Sequence, residues 1–290
     1  MTETRLEWLM PTEVSAALQQ CPTLLLPLGT IEWHGLHNVM GLDALKAHAL
    51  CVRAAQQGHG LVHPPIYGGV GGLEEPHTFI MDQELPPDAP RLRGWLEQWC
   101  REAYRNGFRA LILLTGHYGP GQQLAVRETA VRMSQTLGIP VLGTAEYFLA
   151  LDKKYYGDHA AYFETSLMMH LFPESVQLDR LGEAPHQGVG GRDPKRHANA
   201  GAGRELCDCI ISRLATLARR MPAWDETTRT AFVRAEAEIV ALWQRHARDA
   251  RDVVGLFAGW GAVYQGAFDD YSRALTEERF DDIAALAAGL

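Results

Sequence analysis

The chain has 290 residues, 47% hydrophobic and 21% charged, which is the mix of a globular protein with a sizeable core and excludes a disordered tail or a coiled coil. Its 27 Lys and Arg against 35 Asp and Glu give a formal net charge of -8, which disfavours a general nucleic-acid or anionic-membrane partner. No run approaches a membrane span and no basic start leads into an apolar stretch; the five Cys include no CxxC pair, so a reducing, cytoplasmic setting without a disulfide framework is expected.

A helix is expected after Pro11, with Thr12 as a cap near its start. Thr23 to Gly29, TLLLPLG, is a short apolar run stopped by Gly and reads as a buried strand. Asp43 to Gln57 has helical periodicity that ends at Gly58. GLVHPPIYGGVGG reads as a strand followed by a Gly-rich loop, and the next helix opens at Asp88 and closes at Gly107. FRALILLTG is the clearest buried strand, GQQLAVRETAVRMSQTLG the following helix, and IPVLGTAEYF a further strand. AYFETSLMMHLFP reads as a helix stopped at Pro173, and residues 174–200 as loop. Residues 203–220 and 227–252 are strongly helical, and the tail from Val253 is mixed, with a last helix near Glu277. Strands alternating with helices imply an α/β fold whose mostly parallel sheet is covered on both faces. Nothing marks a boundary, so residues 1–290 read as one domain, with 203–290 a helix-rich part packed on its core.

In parallel sheets, reactive side chains collect beyond the carboxyl ends of the strands. The first strand leads into GTIEWHGLHNVMGLD, which places Glu32, His34, His37 and Asp43 close together, and the second leads into His117 between two glycines. If these strands are parallel and adjacent, their ends converge on one crevice. Carboxylates and imidazoles are ligands for zinc, manganese or iron, and a shared carboxylate such as Asp43 lets two ions flank one hydroxide. Taken alone, Asp43 reads as a helix cap and His34 or His37 as a polar loop residue. His159 and Glu164 form a third segment, acid and base beside a metal-bound water or else a loop anchor and a helix-start carboxylate. His170 reads as a partly buried structural histidine. GGVGG and GVGGR match no phosphate-loop pattern, no HExxH or GxSxG occurs, and Cys21 and Ser166 lack a triad. Cys207 and Cys209 read as helix residues rather than metal ligands. Glu74, Glu75 and His77 are expected to face solvent or support the pocket, Trp224 and Trp260 to pack in the core, and Trp33 to point away from the ions.

These segments resemble the signatures of the creatininase, or creatinine amidohydrolase, family. LLLPLGTIEWHGLHNVMGLD is similar to its Gly-x-x-Glu-x-His-Gly-x-His run followed by Gly-x-Asp, LLTGHYG to its Gly-His strand end, and HAAYFETSLMMHLFP to its His-Ala-Gly and Glu-Thr-Ser segment. The resemblance runs from about Leu24 to Pro173. It implies an α/β/α sandwich, a homo-oligomer (hexamers are known in the family), and hydrolysis of C–N bonds in small cyclic amides or formamides at two divalent ions per subunit, zinc, manganese or iron. Glu32 and His117 would hold one ion, His34 would help hold the other, Asp43 would bridge, and His159 and Glu164 would serve the attacking water. Gly119 stands where creatininase carries a metal-binding Glu, so the second ion needs another ligand, with Glu164 the candidate. Ala161 and Tyr162 replace a glycine and a carboxylate, and GHYGPG lacks the customary Asn, which weakens the case for creatinine itself. The same site would also serve C–C hydrolysis of a cyclic ketone derived from an inositol or sugar, with EEPH and RDPKRH as hydroxyl-binding groups. A metal-stabilised subunit without turnover is the third reading.

Overall fold

Two apolar runs, Thr23–Gly29 (β1) and Ala110–Thr115 (β4), lie side by side at the centre of the sheet in a computed structural model that describes residues 3–58, 60–71, 76–83, 89–249 and 266–290. With Leu61–Val62 (β2), Ile66–Tyr67 (β3) and Val141–Ala145 (β5), the strand order is β2-β1-β4-β5, and β3 extends the β2 edge along β1. All pairings among these five strands are parallel. The single strand expected in GLVHPPIY is two short ones, because Pro64 and Pro65 between them have no N–H for the ladder.

The central strands are continuous apolar runs because both their faces are buried. Leu25, Ile112 and Leu114 point into one core, while Leu24, Leu26, Leu28, Leu111 and Leu113 point into the other. Each such leucine contributes about 1.5–3 kcal/mol by leaving water. The second core is covered by α1 (Pro11–Gln20) and α3 (Pro90–Arg105), and α4 (Pro120–Leu137) adds Ala125, Val126, Ala130 and Met133 to it. The first is covered by α2 (Leu42–Ala55), α5 (Tyr162–Leu171), α7 (Ala200–Arg220) and α8 (Glu226–Asp249). The result is the three-layer α/β/α arrangement with a parallel central sheet.

Beyond a short α6 (Pro194–His197), the chain after α7 packs α8 against α4, while α9 (Tyr271–Thr276) packs on residues 146–153 and α7, and α10 (Phe280–Gly289) packs on α8. A buried ion pair ties these layers: Arg127 of α4 meets Glu236 of α8, and the Tyr271 hydroxyl donates to the same carboxylate at 2.7 Å. None of the described helices is long and apolar enough to cross a membrane.

Three local expectations need correction. Met10, not Thr12, caps α1, its N–H donating to Glu13 Oε2 at 2.7 Å. β5 stops at Ala145, and Glu146–Lys153 coils as 3-10 helix, so Glu146 is a strand-end residue. α7 begins at Ala200, three residues before the expected start. Asp88, Glu74, Glu75, Trp260 and the stretch 253–265 lie outside the described residues.

Candidate metal centre

The register Leu28↔Thr115 puts the ends of β1 and β4 next to each other. The chain leaving β1 returns as α2, whose first turn carries Asp43, and the chain leaving β4 carries His117. Two glycines let that helix start seat itself against both strand ends. A Cβ on Gly29 would stand 2.4 Å from Asp43 Cβ, and one on Gly116 only 2.0 Å from the Asp43 carbonyl oxygen. The sequence thus folds Asp43 inward instead of leaving it as a solvent-facing cap.

Glu32, His34, Asp43, His117 and Glu164 are all buried, His117 the most exposed at 4%. Their ligand atoms fall into groups within 4.8 Å: Glu32–Asp43–His117, His34–Asp43–Glu164, and Glu32–His34–His159. Asp43 belongs to the first two, with Oδ1 at 3.1 Å from His34 Nε2 and Oδ2 at 3.3 Å from His117 Nδ1. Glu32 Oε1 is 2.7 Å from His117 Nδ1. The three imidazoles share one arrangement. His34 Nδ1 reaches the Glu32 carbonyl at 3.1 Å, His117 Nε2 the Val70 carbonyl at 3.1 Å, and His159 Nε2 the Trp33 carbonyl at 2.8 Å. A carbonyl only accepts, so each of these nitrogens carries a proton and the other ring nitrogen faces the cluster, where it can offer its lone pair to a cation. Such outer hydrogen bonds are what orient histidines around metals.

Charge and desolvation point the same way. Glu32 Oε2 and His34 Nε2 are buried without a hydrogen-bond partner, an expensive state unless something else occupies the gap. Burial pushes the His34 imidazole down, but Asp43, Glu32 and Glu164 reverse this and raise it to about 9. His117 is held well above its usual range against its own burial, chiefly by Glu32 and Asp43. Asp43, despite burial, is driven well below the carboxylate range by His34 and His117. The pocket therefore takes up positive charge, as protons when no ion is bound. Carboxylate oxygens and imidazole lone pairs converging in this way fit hard-to-borderline divalent cations.

His159 lies at the rim, its ring stacked on His34 at 4.5 Å and its Nδ1 3.9 Å from Glu32 Oε1. The 188–192 loop holds it, with Gly190 and His159 exchanging backbone hydrogen bonds of 2.8 and 2.7 Å. Burial and the nearby His34 lower its pKa. Glu164 hangs from the first turn of α5, whose start is capped by Asp158 through the N–H groups of Phe163 and Glu164. Burial, with the Glu164 charge beside it, raises Asp158 to about 7.

His37 stays out of the cluster and meets Thr165 Oγ1 at 3.0 Å. Trp33 turns its indole onto Gln187, and His77 is exposed. His170 pairs with Arg53, Trp224 packs against Phe232 and Phe280, and Cys207 and Cys209 are free thiols. Sequence reading missed Lys46, Tyr118, Glu146 and Tyr155, a buried polar group beneath Glu164. Signals existed: Lys46 sits three residues after Asp43 on the same helix face, Tyr118 follows His117, and Glu146 leaves a third strand end.

A parallel α/β/α sandwich with joined carboxylate–imidazole clusters at its strand ends defines a metal-dependent hydrolase. The chain belongs to the creatininase family: the family model described as creatinine amidohydrolase matches residues 7–218. It is 32% identical over 196 residues to the creatinine amidohydrolase of Pseudomonas putida, covering 60% of this chain and 73% of that protein. It is also similar to the mycofactocin precursor peptide peptidase of Mycobacterium ulcerans (32% over 172 residues, 55% of this chain and 62% of that one). A third relative is the 3-dehydro-scyllo-inosose hydrolase of Thermotoga maritima (24% over 179 residues, 58% and 56%). Among solved structures, a creatininase crystal structure superposes with a TM-score of 0.63 at 25% identity over 77% of this chain and 99% of that one. A manganese form of creatininase gives 0.59 at 27% over 76% and 100%.

Proposed function

We propose that the chain hydrolyses a C–N bond of a small polar amide, cyclic or formyl, at a pair of divalent ions. The observation that carries this is the sharing of Asp43 between two ligand groups, Glu32–Asp43–His117 and His34–Asp43–Glu164. Each group would hold one ion, and Glu164 supplies the ligand that Gly119 does not. Bound there, the ions would acidify a shared water and polarise the scissile carbonyl. Amide hydrolysis is favoured over other carbonyl chemistry because two of the similar proteins are an amidohydrolase and a peptidase.

The chain's own groups divide the remaining work. His159 keeps its Nε2 proton on the Trp33 carbonyl, so Nδ1 is the atom free to take a proton and pass it to the leaving nitrogen. Glu164 is less suited to that task, because Lys46 holds Oε1 and the Ala160 N–H holds Oε2 at 2.7 Å. We therefore assign Glu164 as a ligand and His159 as acid and base. The inosose hydrolase relative supports a second reading, hydrolysis of a cyclic ketone, since the same activated water would attack a ketone carbonyl.

The test combines metal analysis with a substrate panel of lactams, formamides and cyclic ketones. The purified protein should bind divalent ions and turn over a lactam or formamide. His117→Ala should lose both metal and activity, while His159→Gln should keep the metal and lose at least 100-fold in kcat, on the order of a general acid–base contribution. Turnover of ketones alone moves the reading to C–C hydrolysis. Bound metal without turnover of any panel member, accompanied by a large stability loss in His117→Ala, favours the structural subunit.

A further inference from the structure

Beneath the second ligand group lies a fully buried ammonium that the proposed reaction does not use. Lys46 of α2 has no solvent exposure. It donates to Glu164 Oε1, to Glu146 Oε1 at 3.1 Å and to the Tyr118 hydroxyl at 2.8 Å, and it lies 4.0 Å from the centre of the Tyr118 ring. Glu146 is itself fully buried; its Oε1 also accepts from Tyr118 at 2.6 Å, and its Oε2 has no hydrogen-bond partner. Of the two ligand groups, only the one containing Glu164 is in hydrogen-bond contact with this lysine.

We infer that Lys46 is a positioning residue that makes the two cation sites unequal, so that the Glu32–Asp43–His117 site fills first and the His34–Asp43–Glu164 site second and more weakly. This rests on the ion-pair reading above. Lys46 holds Oε1 of Glu164 and the Ala160 N–H holds Oε2 at 2.7 Å, so what Glu164 offers the cluster is the remaining lone pair of Oε2, 3.9 Å from His34. A carboxylate already in a charge-assisted hydrogen bond offers less to a cation, and an ammonium a few ångströms away in a water-poor interior repels a dication directly. Glu32 carries no such burden: Oε1 faces His117 and Oε2 is unengaged. Glu146 moderates the effect by sharing the Lys46 charge with Glu164.

The arrangement predicts opposite signs for two variants, which a merely structural role would not produce. Glu146→Gln keeps the shape and the acceptor oxygen but removes the charge, so Lys46 bears more fully on Glu164. The double variant Lys46→Met, Glu146→Gln removes both charges together and frees Glu164. Chelator-stripped full-length protein is titrated calorimetrically with Mn²⁺ at fixed pH, with Glu32→Gln and Glu164→Gln assigning the steps to sites, and circular dichroism checks folding. The wild type should bind in two steps. Glu146→Gln should weaken the second step at least threefold and leave the first within twofold. The double variant should tighten the second step at least tenfold. The inference is overturned if both variants shift the second step the same way, if both steps move equally, or if the second step does not move. Should the double variant not fold, an unchanged or tighter second step in Glu146→Gln overturns it alone. Absence of any Mn²⁺ binding to the wild type overturns the ion-pair reading and this inference together, whereas two-step binding with an unmoved second step overturns only the latter.

Discussion

Gly116→Ala is expected to dismantle the candidate metal centre without touching a single one of its candidate ligands. The new Cβ would sit 2.0 Å from the Asp43 carbonyl oxygen and 2.7 Å from its carbonyl carbon, where real Cβ atoms essentially never come within 3.0 Å. The contact is with backbone, so no side chain can swing aside; the start of α2 must retreat by roughly 1 Å, at the ~1–3 kcal/mol typical of overpacking. For a chain of this size that lowers Tm by about 2–10 °C. The functional loss is larger than the stability loss. Asp43 reaches His34 at 3.1 Å and His117 at 3.3 Å, and metal coordination tolerates only about 0.2 Å of error. Because Asp43 serves both ligand groups, both ions should be lost together. Scanning calorimetry and metal content per chain after gel filtration measure the two effects. Gly94→Ala is the control: nothing lies within 4 Å of a Cβ there and the site is exposed inside α3, so it should gain about 0.5–1 kcal/mol and keep its metal. A Gly116→Ala protein with wild-type Tm and metal content would refute the account of how the strand ends seat Asp43.

Metal-free protein should lose stability as pH rises. His34, ordinarily near 6.5, is raised to about 9 when folded, so its contribution is complete below pH 6.5 and lost by the time pH has risen through 9. That contribution is on the order of 3 kcal/mol; chemical denaturation of chelated protein across this window measures it, and a flat profile would contradict the charge assignment. Metal uptake displaces the same proton, so affinity should rise over that window and titration in weak buffer should show proton release. Arg127→Met should cost about 3–5 kcal/mol, since it strands the Glu236 charge among buried side chains between α4 and α8. Urea unfolding reads this directly, and a loss under 1 kcal/mol would mean that Glu236 is neutral or solvated there.

Much of the layered fold was legible because buried parallel strands advertise themselves. TLLLPLG and ALILLT are apolar but for a terminal threonine each, and each is followed by a glycine-bearing turn and a helix. The candidate ligand set was legible for a related reason: Glu32, His34, Asp43 and His117 follow the ends of those strands, where a parallel sheet collects reactive groups, and the fold brings these four side chains together. Short elements were harder, because Pro64 and Pro65 split one expected strand and a 3-10 turn absorbs the end of another, hiding Glu146 inside an apparent strand.

Residue types and periodicity in the chain set the helices, the central strands and the stock of carboxylates and imidazoles at their ends. They could not decide which of those groups meet. That Asp43 is shared, that each imidazole spends one nitrogen on a backbone carbonyl, and that Lys46 is buried against Glu164 follow from strand register and from the close approach of α2 to Gly29 and Gly116. The physical reason is distance along the chain. Glu164 lies 118 residues from Lys46 and His117 lies 85 from Glu32, so no local pattern encodes their contact, and only packing of the whole sheet and its two helical layers brings them together.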